Sequence, residues 1–505
     1  MKVLSIKTSL VAATALTLTF GSCSKDFVTI QPEGQFLSEN YYSDASQAYA
    51  ALVGVYDPLR KNSGGFDNLI TFLNAGSDDF FAGGGGPTDG AGIQAFSLHT
   101  INSQIIPGSF WNDHYQGIFR ANILLSRLEG VPMDATLKAR IAAEAKALRG
   151  TYYFNLIRLF GNIPLILEPL TTSSIYDAEQ APKEAIYTQI EKDLTEAITD
   201  LPATLVAATE YGRFTIPAAK AMLGKVYLYE GKNTEAAAQL ADVNGTPGTV
   251  TQYGNRLVAN FADLWVFTNK YNTEYILAGM HSDKSNADWG FWGSGADEGN
   301  SVNQMVGPRG YSRTAGGTAP NIPAGWSFNT LTQELYDLIK NDNRFASTVL
   351  DMTALKAAGQ ADYIPAHQNT GYFINKFIPR TSDIRTGGGT QELNYQQNDY
   401  IIRLADTYLM EAEALGGTGT RAQALLDAVR TRANMPVVPV SLAVIKAERR
   451  IELAGEGHRF FDLVRWGDAP AALGDRGFQA NRDEVLPIPF RETQGTKLLQ
   501  NPGFQ

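Results

Sequence analysis

Cysteine is almost missing from this chain: 505 residues hold one, Cys23, so no internal disulfide and no cluster of thiolate metal ligands can form. Histidine is scarce as well. His99, His114, His281, His367 and His458 are scattered without the spacing of a metal site. Basic residues are outnumbered, 42 against 52 acidic, and nowhere form a block, which argues against nucleic acid and anionic lipid headgroups as partners. No stretch reaches the ~18 consecutive apolar residues of a membrane-spanning helix. Catalytic signatures are also absent. The chain has no His-Glu-x-x-His, no Gly-x-x-x-x-Gly-Lys-Ser/Thr and no Gly-x-Ser-x-Gly elbow, and Gly83 to Gly86 lacks the lysine and helix of a phosphate loop.

What is present begins with the position of that single cysteine. Lys2 and Lys7 precede an uncharged apolar stretch from Ser9 to Phe20, and Gly21-Ser22 place small residues directly before Cys23. This is the layout of a lipoprotein signal peptide, residues 1–22, with Cys23 as the acylated first residue of the mature protein. Phe20 stands where such a box usually carries leucine. Several acyl chains, each methylene contributing about 0.8 kcal/mol, hold such a protein at a membrane without spanning it. The body behind the anchor is 44 % apolar and 19 % charged, the composition of a packed globular protein.

Two regions differ in texture. From Leu137 to Phe160, apolar residues recur every three or four positions, and Gly161 and Pro164 supply a stop, which predicts a long helix. Thr215 with Pro217 starts a second helix, Gly231-Lys232-Asn233 turns the chain, and Thr234 to Val243 returns. Leu223, Gly224, Tyr227, Ala236 and Leu240 fall where a tetratricopeptide hairpin places large, small and aromatic side chains. A looser copy runs from Ile401 to Arg432, and Ser441 caps a further helix expected to reach Ala454. No regular 34-residue period links these hairpins. They predict a mostly α scaffold, with a helical region over 23–245 and a loop-rich region over 246–505. The run from Glu448 to Arg465 reads as charges paired within the core.

The irregular segments are the candidate binding surface. Trp289, Phe291, Trp292 and Tyr311 stand among Asp288, Asn300, Asn303, Gln304, Arg309 and Arg313; Trp265 and Trp326, nearby in sequence, read as structural. A flat ring covers the C–H face of a pyranose while amides, carboxylates and guanidinium groups bond its hydroxyls. Asp78, Asp79 and Phe81, in a second polar segment, are candidates for the same task. A hydrolase needs two carboxylates in a defined arrangement, and no motif nominates them. No cofactor is implied; an irregular calcium site leaves no sequence pattern and stays open.

Taken together, several motifs resemble the SusD/RagB family of outer-membrane lipoproteins of Bacteroidetes. They include Cys23-Ser24-Lys25-Asp26-Phe27, Tyr152-Tyr153-Phe154-Asn155-Leu156-Ile157-Arg158-Leu159-Phe160-Gly161-Asn162-Ile163-Pro164, Glu448-Arg449-Arg450-Ile451-Glu452-Leu453, Arg459-Phe460-Phe461-Asp462 and Leu486-Pro487-Ile488-Pro489. Their order spans almost the whole chain behind Cys23. The resemblance implies tetratricopeptide-like units, capture of an oligosaccharide at the cell surface, and a SusC-like TonB-dependent transporter as partner, without catalysis. Members that take up peptides leave oligopeptide as the alternative ligand.

Overall fold

A computed structural model describes residues 41–171, 174–290 and 298–504. The signal peptide and Cys23 lie outside the described residues. From Asp44 onward the chain forms one compact unit. Among the described residues, helices of eight residues or more are α1 (Ala45–Tyr56), α2 (Ser109–Leu128), α3 (Ala135–Phe160), α4 (Lys183–Asp200), α5 (Ile216–Tyr229), α6 (Asn233–Asn244), α7 (Leu404–Ala414), α8 (Gly419–Arg432), α9 (Leu442–Glu452) and α10 (Arg459–Trp466). No helix among them is long and apolar enough to cross a membrane.

The helix ends read from the sequence at Gly161, Thr215 and Ser441 are in place, and Asp134 adds a cap that was not read there. Asp134 accepts the amide of Leu137 at the start of α3, and Gly161 ends that helix at φ +68°. Thr215 caps α5 with Pro217 in the first turn, and Ser441 caps α9. Gly224 shows why the hairpin needs a small residue: a Cβ there would come within 2.7 Å of Leu240 Cγ on α6. Gly224→Val should therefore destabilise the protein by about 1–3 kcal/mol through overpacking. A shift in denaturation midpoint of that size tests it, and an unchanged midpoint would mean the two helices have room to part.

Leu228, Ala236 and Leu240 share a core cluster with Met410 and Ala414, so hairpins from both sequence regions pack on one another. The change of character near residue 245 is one of texture. One boundary moves. Ile401 sits in strand β6 (Asp399–Arg403) and the helix begins only at Leu404, because β6 pairs antiparallel with β1 (Tyr275–Gly279). The irregular region otherwise carries four short strands in two antiparallel pairs: β2 (Ser312–Arg313) with β4 (Ala361–Asp362), and β3 (Val349–Asp351) with β5 (Tyr372–Ile374).

The region from Glu448 to Arg465 bolts these loops to the helices through buried charge. Glu452 accepts from Arg344 at 2.7 Å and Arg403 at 2.6 Å, and also pairs with Arg432. Arg344 also binds Asp342 and Glu448; Arg403 reaches Glu274 and Glu456. Arg344 and Arg403 are among the largest fully buried side chains. Burial alone would raise the Glu452 carboxyl, but Arg432, Arg403 and Arg344 together hold it well below the usual carboxylate range.

His114 in α2 is buried and neutral. Its Nδ1–H donates to the Phe110 carbonyl at 2.7 Å and its Nε2 faces the Asn155 amide at 3.0 Å. Burial lowers it to about 4, and Lys61 and Arg158 add to that, while the Phe110 carbonyl and Asp113 oppose it. An unfolded histidine titrates near 6.5. Below that pH the unfolded chain takes up a proton that the folded chain refuses, so stability falls as pH drops from about 6.5 toward 4. Between those limits His114→Leu should flatten the pH dependence by up to about 1.4 kcal/mol per pH unit, whatever its baseline stability. Parallel curves for the two proteins would show that His114 is not the titrating group.

Candidate functional site

Segment 325–328 is seated almost entirely by main chain. Trp326 N–H donates to the Gln304 carbonyl at 3.0 Å, Ser327 N–H to Gly307 at 2.8 Å, and Phe328 N–H to Met305 at 2.8 Å. Gly325 and Gly307 meet backbone to backbone, leaving no room for a Cβ on Gly325. The glycine-rich stretch then folds across this seat. Gly83 bridges Phe328, Gly84 N–H donates to the Ser327 carbonyl at 2.8 Å, and Gly83 and Gly84 adopt φ +69° and +87°. Those angles are why glycine stands there. The loop that reads as flexible from composition is pinned, with Gln368 accepting from Gly83 N–H and Gln94 donating to the Gly83 carbonyl.

Trp326 is half-buried on this seat. Trp289 lies against it, 53 % exposed, with ring centroids 6.0 Å apart and planes 26° from parallel. Trp289 comes from a separate segment, held through Ala287, whose N–H donates to the Asn394 side chain at 3.0 Å and whose carbonyl accepts from it at 2.8 Å. Arg309 borders the pair. Its guanidinium reaches the Trp326 carbonyl at 3.3 Å and faces Asp89 at 3.7 Å, and Asp89 accepts from Gly85 N–H at 2.7 Å. The result is an open aromatic surface with a cation and a carboxylate on its rim, the complement of a ring with apolar faces and a hydroxylated edge.

The other candidates are placed differently. Phe291 and Trp292 lie outside the described residues. Tyr311 is buried in the irregular region's core, its hydroxyl donating to the Pro320 carbonyl. It is a packing residue. Phe81 is half-buried with the Arg476 guanidinium 4.8 Å from its ring. Asp78 and Asp79 require a correction: the expected loop carboxylates are buried at 8 % and 1 % exposure. Asp78 takes Arg459 in a two-pronged bond at 2.7 and 2.8 Å, and Asp79 takes Arg450 at 2.7 Å. Burial would raise Asp78, but Arg459 and Arg450 outweigh it; burial lifts Asp79 to about 6. Such a split is what an acid and base pair shows, yet both carboxylates are buried and taken up by arginines. They anchor α9 and α10 to the segment that leads into the glycine loop. Asp89 and Trp326, which the structure brings beside Arg309 and Trp289, were not among the binding candidates read from the sequence. Among the described residues, no cluster of three or more His, Cys, Asp or Glu side chains could hold a metal ion.

Comparison with known proteins agrees with this architecture. A family described as "SusD family" matches residues 273–484, and one described as "Starch-binding associating with outer membrane" matches residues 91–228. A solved structure titled "Laminarin binding SusD-like protein" is 58 % identical, with a TM-score of 0.90, covering 92 % of this chain and all of that one. "Surface glycan-binding protein A" from Bacteroides thetaiotaomicron is 25 % identical, with a TM-score of 0.80, over 92 % of this chain and all of that one. A "SusD-like protein" of Bacteroides ovatus is 25 % identical over 99 % of this chain and 92 % of its own length.

Proposed function

This chain belongs to the SusD family, and on that premise we propose that it is a non-catalytic surface lipoprotein that binds an oligosaccharide on the Trp289–Trp326 pair. The observation that carries the reading is the pair itself: two tryptophans whose ring planes are 26° from parallel, on a rigid seat, one of them 53 % exposed. Two such rings cover successive sugar faces, and Arg309 and Asp89 bond the hydroxyls at the edge. Cys23 carries the lipid. A SusC-like TonB-dependent transporter receives the ligand.

The similarity to a laminarin-binding protein supports a β-glucan of that kind as the ligand. Calorimetric titration of the protein from residue 24 onward with a glycan panel tests this. Laminari-oligosaccharides should bind with a change in tryptophan emission, and α-glucans and mannans should not. Silence across all glycans together with binding of oligopeptides would move the ligand class to peptide. Turnover of any bound glycan would overturn the non-catalytic reading.

A further inference from the structure

A second aromatic cleft lies where α1 and segment 208–213 meet the strand β1. Its volume is about 410 Å³, and an adjoining cleft of about 160 Å³ continues it. Tyr211, Arg213 and Tyr271 line both, so the two clefts form one groove crossed by a tyrosine pair. Those rings sit 5.1 Å apart with planes 45° from parallel, Tyr271 is 44 % exposed, and Tyr49 adds a third ring with 37 % exposure on the α1 side. The groove shares no residue with the Trp289–Trp326 pair.

Its guanidinium groups are already paired within the protein, and its one exposed carboxylate among the described residues, Glu298, accepts from the Ser282 hydroxyl. Arg213 is paired with Glu144 and Glu210, and lies over the Tyr49 ring at 5.2 Å; Arg60 is paired with Asp57 at 3.2 Å. What the groove presents to a ligand is aromatic surface together with the hydroxyls of Thr209 and Thr204. That inventory suits an uncharged polyhydroxylated chain.

We propose that this groove is a second oligosaccharide-binding site, for a neutral glycan, which engages a distant stretch of the same polymer held by the tryptophan pair. It rests on the glycan reading above. Two sites on one chain of ligand raise overall affinity by making the second contact intramolecular, so the groove matters most for long polymers.

Titration separates the two sites because, among the described residues, no tryptophan lines the groove. Laminarihexaose titrated into the wild type should give two binding events by calorimetry, and only the tighter should change tryptophan emission. Trp289→Ala with Trp326→Ala should keep the weaker, optically silent event. Tyr211→Ala with Tyr271→Ala should lose it while keeping the emission change, and should weaken long laminarin about tenfold with hexaose binding at the tryptophans unaltered. Tyr271→Ala alone, at a half-exposed position, should give the same direction if the double variant folds poorly. A single saturable event in the wild type, or tyrosine variants that bind polymer like the wild type, would overturn the second site while leaving the tryptophan site standing. Absence of any glycan binding to the wild type would overturn both.

Discussion

Glu452→Ala should lower folding stability by about 3–5 kcal/mol, the cost of leaving buried guanidinium groups without their shared partner. Three arginines from three different elements converge on that one carboxylate: Arg344 from the loop after residue 340, Arg403 from β6 and Arg432 from α8. Each keeps another acidic neighbour, Glu448, Glu274 or Glu456, so the fold is weakened at a junction and the charges are not wholly orphaned. Glu452→Gln keeps the shape and the acceptor oxygen, and should lose less than the alanine variant. Chemical denaturation of the three proteins checks the order. If both variants stay within about 1 kcal/mol of the wild type, a surface-like value, the network is not what couples the loops to the helices.

Removing both rings of the platform should abolish measurable glycan binding at the tryptophan site. Truncating a buried aromatic anchor at the centre of an interface costs about 2 kcal/mol or more, which is ~30-fold in Kd for each ring. Trp289→Ala should show this with unchanged stability, since that ring is more than half exposed. Trp289→Phe should restore part of the affinity because the flat face survives. Trp326→Ala should weaken binding and also cost some stability, as its ring is half-buried on the seat. Calorimetry with laminarihexaose and the denaturation midpoint, read together, separate the two roles. Full affinity in the Trp289→Ala protein would remove the pair from the binding account.

The helical half was legible from sequence because its signals are local. Apolar residues of α3 recur every three or four positions, Thr215 sits where a cap belongs, and Gly224 faces Leu240 within one hairpin. Ile401 misled for a related reason: its spacing fits the α7 stripe, but its backbone pairs with a strand more than a hundred residues earlier in the chain. The site was legible only in composition. Trp289 belongs to the aromatic surface, but Tyr311 turned inward, and Asp78 and Asp79 found arginines roughly 370 to 380 residues away in sequence. Short-range pattern carries no information about such partners, and a polar, glycine-rich segment looks the same whether it is solvated or pinned. That Trp326 lies beside Trp289 was not legible either, because the two rings come from segments some 37 residues apart in sequence.

The two platform rings are mounted in unlike ways. Trp326 stands on a backbone lattice that tolerates no added methyl group, whereas Trp289 belongs to a separate segment that Asn394 clasps near Ala287. Substitutions in the 284–290 stretch would therefore slide one ring over a stationary anvil, changing their separation and tilt without disturbing the body beneath. Descendants of such a protein can acquire a taste for differently linked polymers by remodelling a few residues of one loop, and a designer can do the same.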